Sequence, residues 1–110
     1  MAKIERIVKG DFHSIAKRIH DAILKESVSA TFEDVSEYHT DGLDFTFRVY
    51  ERYSYTGGNR VSLGFTLVGT NNVYKLSVIT SGGSQAAFFK INTWGESAFL
   101  DTIRDVINSL

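Results

Sequence analysis

The sequence predicts an α+β domain in which a strand and a helix precede a five-strand antiparallel meander and a closing helix, one sheet covered by two helices. Three observations predict it. Period-two alternation runs from Leu43 to Tyr55, apolar residues recur at helical spacing toward both ends of the chain, and glycine-bearing turn signals punctuate the middle.

The 110 residues suit a single domain spanning 1–110, with room for one core. Lys3 to Lys9 carries Ile4, Ile7 and Val8 among charges and reads as a short strand. Gly10 and Asp11 form an exit turn and an N-cap, and Phe12, Ile15, Ala16, Ile19, Ala22 and Ile23 then recur at helical spacing to about Glu26. His13, Lys17, Arg18, Asp21 and Lys25 fall on the other side, as on a solvated face.

Asp41-Gly42 is a type I′ hairpin signal that pairs Thr40 with Leu43, Tyr38 with Phe45, Asp34 with Val49, Phe32 with Glu51 and Ala30 with Tyr53. On the central strand Leu43, Phe45, Phe47, Val49, Glu51, Tyr53 and Tyr55 share the more apolar side, which is taken as inward. Parity then requires a three-residue loop between Thr56 and Arg60, because a one-residue slip would turn Val61, Leu63, Phe65 and Leu67 to the opposite side. The Gly69-Thr70-Asn71-Asn72 turn brings in Tyr74, Leu76, Val78 and Thr80. The Ser81-Gly82-Gly83-Ser84 hairpin brings in Gln85, Ala87, Phe89 and Ile91. Thr93-Trp94-Gly95-Glu96 has capping-box spacing, and Phe99, Ile103, Val106, Ile107 and Leu110 form the stripe of the last helix.

Composition excludes several chemistries. A net charge of −1 and a pI near 6.3 argue against a nucleic-acid partner. Zero cysteines exclude disulfides and thiol catalysis. His13, His20 and His39 lack metal-ligand spacing, and the Gly-Gly pairs have no following GK[ST], so no metal and no cofactor is expected. The opening Met1 to Gly10 has no apolar run, so neither a signal peptide nor a membrane partner is expected, and the location expected is cytoplasmic.

This register puts Phe32, Glu51, Phe65, Leu76 and Phe89 in one inward row. A carboxylate there needs a partner, water or a proton. The expected site is therefore a sheet-helix groove in which Glu51, Tyr53, Asp34, Thr80 and Gln85 orient a small apolar ligand, with Arg18 or Arg104 within reach from a helix. Two alternatives stay open for Glu51: a bulge near Tyr50 to Arg52 that sends it to solvent and turns Tyr50 or Arg52 inward, or a buried carboxylate satisfied by one tyrosine hydroxyl or an ordered water. A third reading makes Glu51 an acid or base beside Tyr53. On the outward side, Tyr50, Val68, Ile79, Ala86 and Phe88 suggest a homodimer contact. The order strand, helix, meander, helix resembles a reduced helix-grip domain, the fold of START and polyketide-cyclase-like ligand binders, and this implies binding between sheet and helix. The stretches from Tyr50 to Arg60 and from Ile79 to Ala86, followed by Phe88 to Thr93, are similar to a small bacterial family of unknown function. That similarity implies a bacterial cytosolic protein and carries no activity across.

Overall fold

The computed structural model describes residues 2–26, 30–54, 59–82 and 103–110. Its elements are β1 (Ala2–Lys9), α1 (Phe12–Glu26), β2 (Ala30–Thr40), β3 (Leu43–Ser54), β4 (Asn59–Thr70) and β5 (Val73–Gly82), followed by a short helix α2 at residues 103–108. Five strands form one antiparallel sheet in the order β1-β5-β4-β3-β2, so β4 lies at its centre. The architecture is α+β. Gly10, at the end of β1, donates its backbone N–H to the Asn72 carbonyl at 2.9 Å and ties that exit to the β4-β5 hairpin.

Local chemistry explains the element ends. Asp11 caps α1: its Oδ2 accepts the Ser14 backbone N–H at 3.0 Å and the Ser14 hydroxyl at 3.0 Å. Asp41 and Gly42 hold φ of 50° and 81° between paired Thr40 and Leu43, the left-handed pair that a type I′ turn requires. Asn71 and Asn72, at 54° and 62°, do the same between Thr70 and Val73, because a short amide side chain tolerates that region.

The predicted stripe of α1 is buried in full, and it joins Ile4 and Val8 of β1, Val61, Leu63, Phe65 and Leu67 of β4, and Tyr74, Leu76 and Val78 of β5 in one hydrophobic cluster. Ile103 and Ile107 of α2 complete it. Burying a side chain of this kind is worth roughly 1.5–3 kcal/mol, so this face holds the fold together.

Three expected registers change. Ser54 pairs with Asn59, so four residues, 55–58, separate β3 from β4 instead of three. Tyr50 therefore opposes Leu63 and Arg48 opposes Phe65, while Glu51 opposes Ser62. The whole of β3 is reversed relative to expectation: Asp44, Thr46, Arg48, Tyr50 and Arg52 lie on the α1 side of the sheet, whereas Phe45, Phe47, Val49, Glu51 and Tyr53 face away from α1. The Asp41-Gly42 register holds as far as Asp34 beside Val49, and a bulge at Glu33 then sets Phe32 beside Tyr50 and Ala30 beside Arg52. Finally, Thr80 pairs with Ala2 on one side and Leu63 on the other, so β1 takes the edge of β5 expected for Gln85. Residues 85–91, expected as a strand, and the Thr93 to Glu96 capping box lie outside the described residues.

Candidate functional site

Two adjacent rows across the α1 side of the sheet change character from β5 to β2. Arg6, Leu76, Leu67, Thr46 and Glu37 form one row; Val8, Tyr74, Gly69, Asp44 and His39 form the next. The β4-β5 end is apolar and the β3-β2 end is polar. There α1 supplies its flank rather than its stripe, and a connected set of side chains results.

Tyr50 is fully buried, and its hydroxyl meets His20 Nδ1 at 2.7 Å. Burial, only partly offset by the nearby Arg48 charge, pushes the Tyr50 phenol up to about 12. Burial and Arg48 together hold His20 below its ordinary value, so it stays neutral near pH 7. Arg48 donates from Nη2 to Glu37 Oε2 at 3.2 Å and from Nε to the Thr46 hydroxyl at 3.2 Å, and that hydroxyl donates to the same Glu37 oxygen at 3.0 Å. Burial alone would raise the Glu37 carboxyl, but these hydrogen bonds and the Arg48 charge outweigh it and hold it below its usual range.

His39 lies between two carboxylates, with Nδ1 2.7 Å from Asp44 Oδ1 and Nε2 3.5 Å from Glu37 Oε1. The Asp44 hydrogen bond, opposed by slight burial and aided by Glu37, raises His39 above its ordinary value. Tyr74 donates its hydroxyl to Asp44 Oδ2 at 3.0 Å. The His13 and His39 rings are 5.7 Å apart, and Phe12 packs edge-on against both. Both imidazole nitrogens are turned to carboxylates, so protonated His39 pairs with Asp44 and Glu37. Among the described residues no group of three His, Asp or Glu side chains could hold a metal ion.

This arrangement predicts a pH signature. His39 is raised on folding, so its contribution is complete below its unfolded value of 6.5 and is lost as pH rises through its higher folded value. Asp44 and Glu37 are depressed, so their contribution holds above 3.8 and 4.5 and is lost only as pH falls through their lower folded values. His20, depressed, opposes His39 in the range below 6.5. His39→Gln should therefore lose more stability at about pH 5.5 than at about pH 8.5 in paired urea titrations. A difference independent of pH would contradict the two-carboxylate geometry.

The opposite side of the sheet carries a different feature. Phe47, Val49, Ser62, Gly64, Thr66, Ser77, Ile79 and Ser81 line an open groove of about 310 Å³ that runs over β3, β4 and β5. Phe47 is 40% exposed and Ile79 is 42% exposed. Tyr38 and Phe45 stack beside the groove with ring centroids 5.1 Å apart.

Of the residues expected to form one ligand site, the described ones are divided between the two faces of the sheet. Glu51, Tyr53 and Asp34 belong to the outward face, and Glu51 accepts an ion pair from Arg60 Nη1 at 3.2 Å. Thr80 is buried on the helix-facing side. Gln85 lies outside the described residues. Of the suggested outward dimer residues, Val68 and Ile79 are outward and Tyr50 is not; 86 and 88 lie outside the described residues. What sequence reasoning missed is the polar network, and its signal was the Glu37-His39 alternation on β2 opposite Asp44, Thr46 and Arg48.

No helix among the described residues is long and apolar enough to cross a membrane. No curated protein matches the chain. Among solved structures, a hypothetical protein from Helicobacter pylori, jhp0584, is 13% identical and aligns over 92% of this chain and 83% of its own with a TM-score of 0.43. DUF6054, a family of unknown function, matches residues 1–110, and the chain belongs to that family.

Proposed function

We propose that the protein is a noncatalytic interaction domain whose outward sheet face is its binding surface. One observation carries this reading: the more apolar side of β3, with Phe45, Phe47, Val49 and Tyr53, is turned away from the helices and borders an open groove. A half-covered antiparallel sheet ordinarily sends its polar side to water. A contiguous apolar patch on the solvent side is the usual mark of a contact surface. The helix-facing network supports the same division of labour, since Arg48, Glu37, His39 and Asp44 are paired with one another. The element order, with Ile103 and Ile107 sharing the core of α1, favours a helix-grip-like arrangement in which both helices cover one face.

The test is a photo-crosslinking amino acid placed at Thr66, on the groove, and separately at Lys17, on the exposed side of α1, in cells producing the full chain. Adducts above the monomer mass are expected from position 66 and not from 17. Their absence at 66 would overturn the proposal.

A second reading keeps a small ligand in the sheet-helix groove. Its support is the ring series Phe32, Tyr50 and Phe65, with centroids 5.2 and 6.1 Å apart, which ends in a Phe32 side chain 42% exposed. A planar ligand would extend that series. Saturation-transfer NMR with aromatic fragments, repeated on Phe32→Ala, checks it: a signal lost in the variant supports the reading, and no signal removes it.

A further inference from the structure

Resting on the outward-face reading, we infer that the partner of this face is a second copy of the chain, docked face to face about a two-fold axis that runs along β4. The rows of the outward face carry the inference, because their three central positions, on β5, β4 and β3, are complementary to their own reversal. One row reads Lys3, Ile79, Gly64, Val49, Asp34 from β1 to β2; the next reads Glu5, Ser77, Thr66, Phe47, Ser36; the third reads Ile7, Lys75, Val68, Phe45, Tyr38. An axis along the central strand lays each row on its reverse. Ile79 then meets the second copy's Val49. The bulky Phe47 meets small Ser77, Lys75 lies over Phe45, and Gly64, Thr66 and Val68 each meet themselves.

Size and shape agree with this occupant. The groove beside Gly64 is about 310 Å³, it is walled by Phe47 and Val49 on one side and Ile79 on the other, and its floor of Gly64, Ser62 and Ser77 leaves room for the incoming Phe47. Five strands at ~4.8 Å and about eight residues at ~3.3 Å give a face of ~600 Å² in projection. That approaches the ~800 Å² per partner of a standard interface once side-chain relief is included. Aligned sheets cross at about 30°, which displaces β3 and β5 by ~2.4 Å, less than half the ~6.6 Å between successive residues on one face, so the pairings over β5, β4 and β3 survive, whereas the edge strands move by ~5 Å and β1 and β2 change partners. Charged groups lie at the rim and apolar or small groups at the centre, as in a symmetric interface.

Sedimentation of the purified full chain at micromolar concentration should give twice the 12.3 kDa chain mass. Thr66→Arg sets two like charges against each other on the axis and should return a monomer with an unchanged circular dichroism spectrum. Because the chain has zero cysteines, Thr66→Cys gives a single reactive thiol, and a short bis-maleimide should join two copies there but not in Lys17→Cys. A monomeric wild type overturns the second copy as partner, as does a dimer that persists in Thr66→Arg and does not crosslink at 66. Adducts of another mass at Thr66 in cells would leave the outward face as a binding surface while overturning its self-association; no adduct at all would remove both.

Discussion

Replacing Tyr50 with alanine is expected to cost about 3–5 kcal/mol, the range for deleting a fully buried aromatic. For a chain of this length that is roughly 15 °C or more in melting temperature. Tyr50 has no exposed surface, its ring packs between Phe32 and Phe65, and its hydroxyl meets His20 Nδ1 at 2.7 Å. Tyr50→Phe separates the two contributions. It keeps the ring stack and leaves a half-buried imidazole nitrogen without its partner, for a loss of about 1 kcal/mol. Glu51→Ala is the matched control, one residue along and on the other side of the sheet. Its ion pair with Arg60 is at the surface, with the Arg60 side chain 69% exposed, so its removal should change stability by less than about 1 kcal/mol. Urea titrations of the three variants decide the orientation of β3. A costly Glu51→Ala with a tolerated Tyr50→Ala would restore the reversed strand.

The same contrast shows where the sequence was readable. α1, the two tight hairpins and the inward side of β4 and β5 follow from periodicity and turn chemistry alone, because Ile15 to Ile23, Val61 to Leu67 and Tyr74 to Val78 each present one oily side and one polar side. On β3 the rule that the oilier side faces the core points the wrong way. Phe45, Phe47 and Val49 outweigh Thr46, Arg48 and Tyr50 in hydrophobicity, yet the second set is inward, because the flank of α1 that reaches it carries His20 and the facing strand carries Glu37 and His39. A polar interior patch satisfied by its neighbours costs little. An alternation score registers only polarity and cannot register satisfaction. Loop parity held the missing information: the inward face of β4 is unambiguous, and a four-residue connection from Ser54 to Asn59 reverses β3 against it. A shorter loop keeps an apolar β3 interior and sets Glu51 among phenylalanines, whereas the observed register puts Glu51 on the outward face.

Gly69→Ala should be nearly as damaging as the loss of Tyr50, at about 3 kcal/mol, although it adds only a methyl group. A Cβ at Gly69 would lie 2.1 Å from the Val73 carbonyl oxygen and 2.9 Å from Tyr74 Cα, both backbone atoms of the facing strand. No rotamer change relieves that, so the β4-β5 hairpin must open, at the upper end of the usual overpacking range. Gly64→Ala is the control: its nearest neighbour is Phe47 Cε1 at 3.2 Å, the end of a half-exposed ring that can turn, so about 1 kcal/mol or less is expected. The two glycines also differ in what depends on them. Tyr74, Gly69 and Asp44 share one row, and the Tyr74 hydroxyl crosses the bare Gly69 backbone to reach Asp44 Oδ2 at 3.0 Å. A side chain at position 69 pushes that phenol away and weakens the anchor of the carboxylate that raises His39. Gly69→Ala should therefore also flatten the extra stability at about pH 5.5 relative to about pH 8.5, whereas Gly64→Ala should leave it intact. A Gly69→Ala protein with wild-type stability and an unchanged pH profile would mean that the close approach of β5 at this row is wrong, and with it the route by which the hairpin, Asp44 and His39 are coupled.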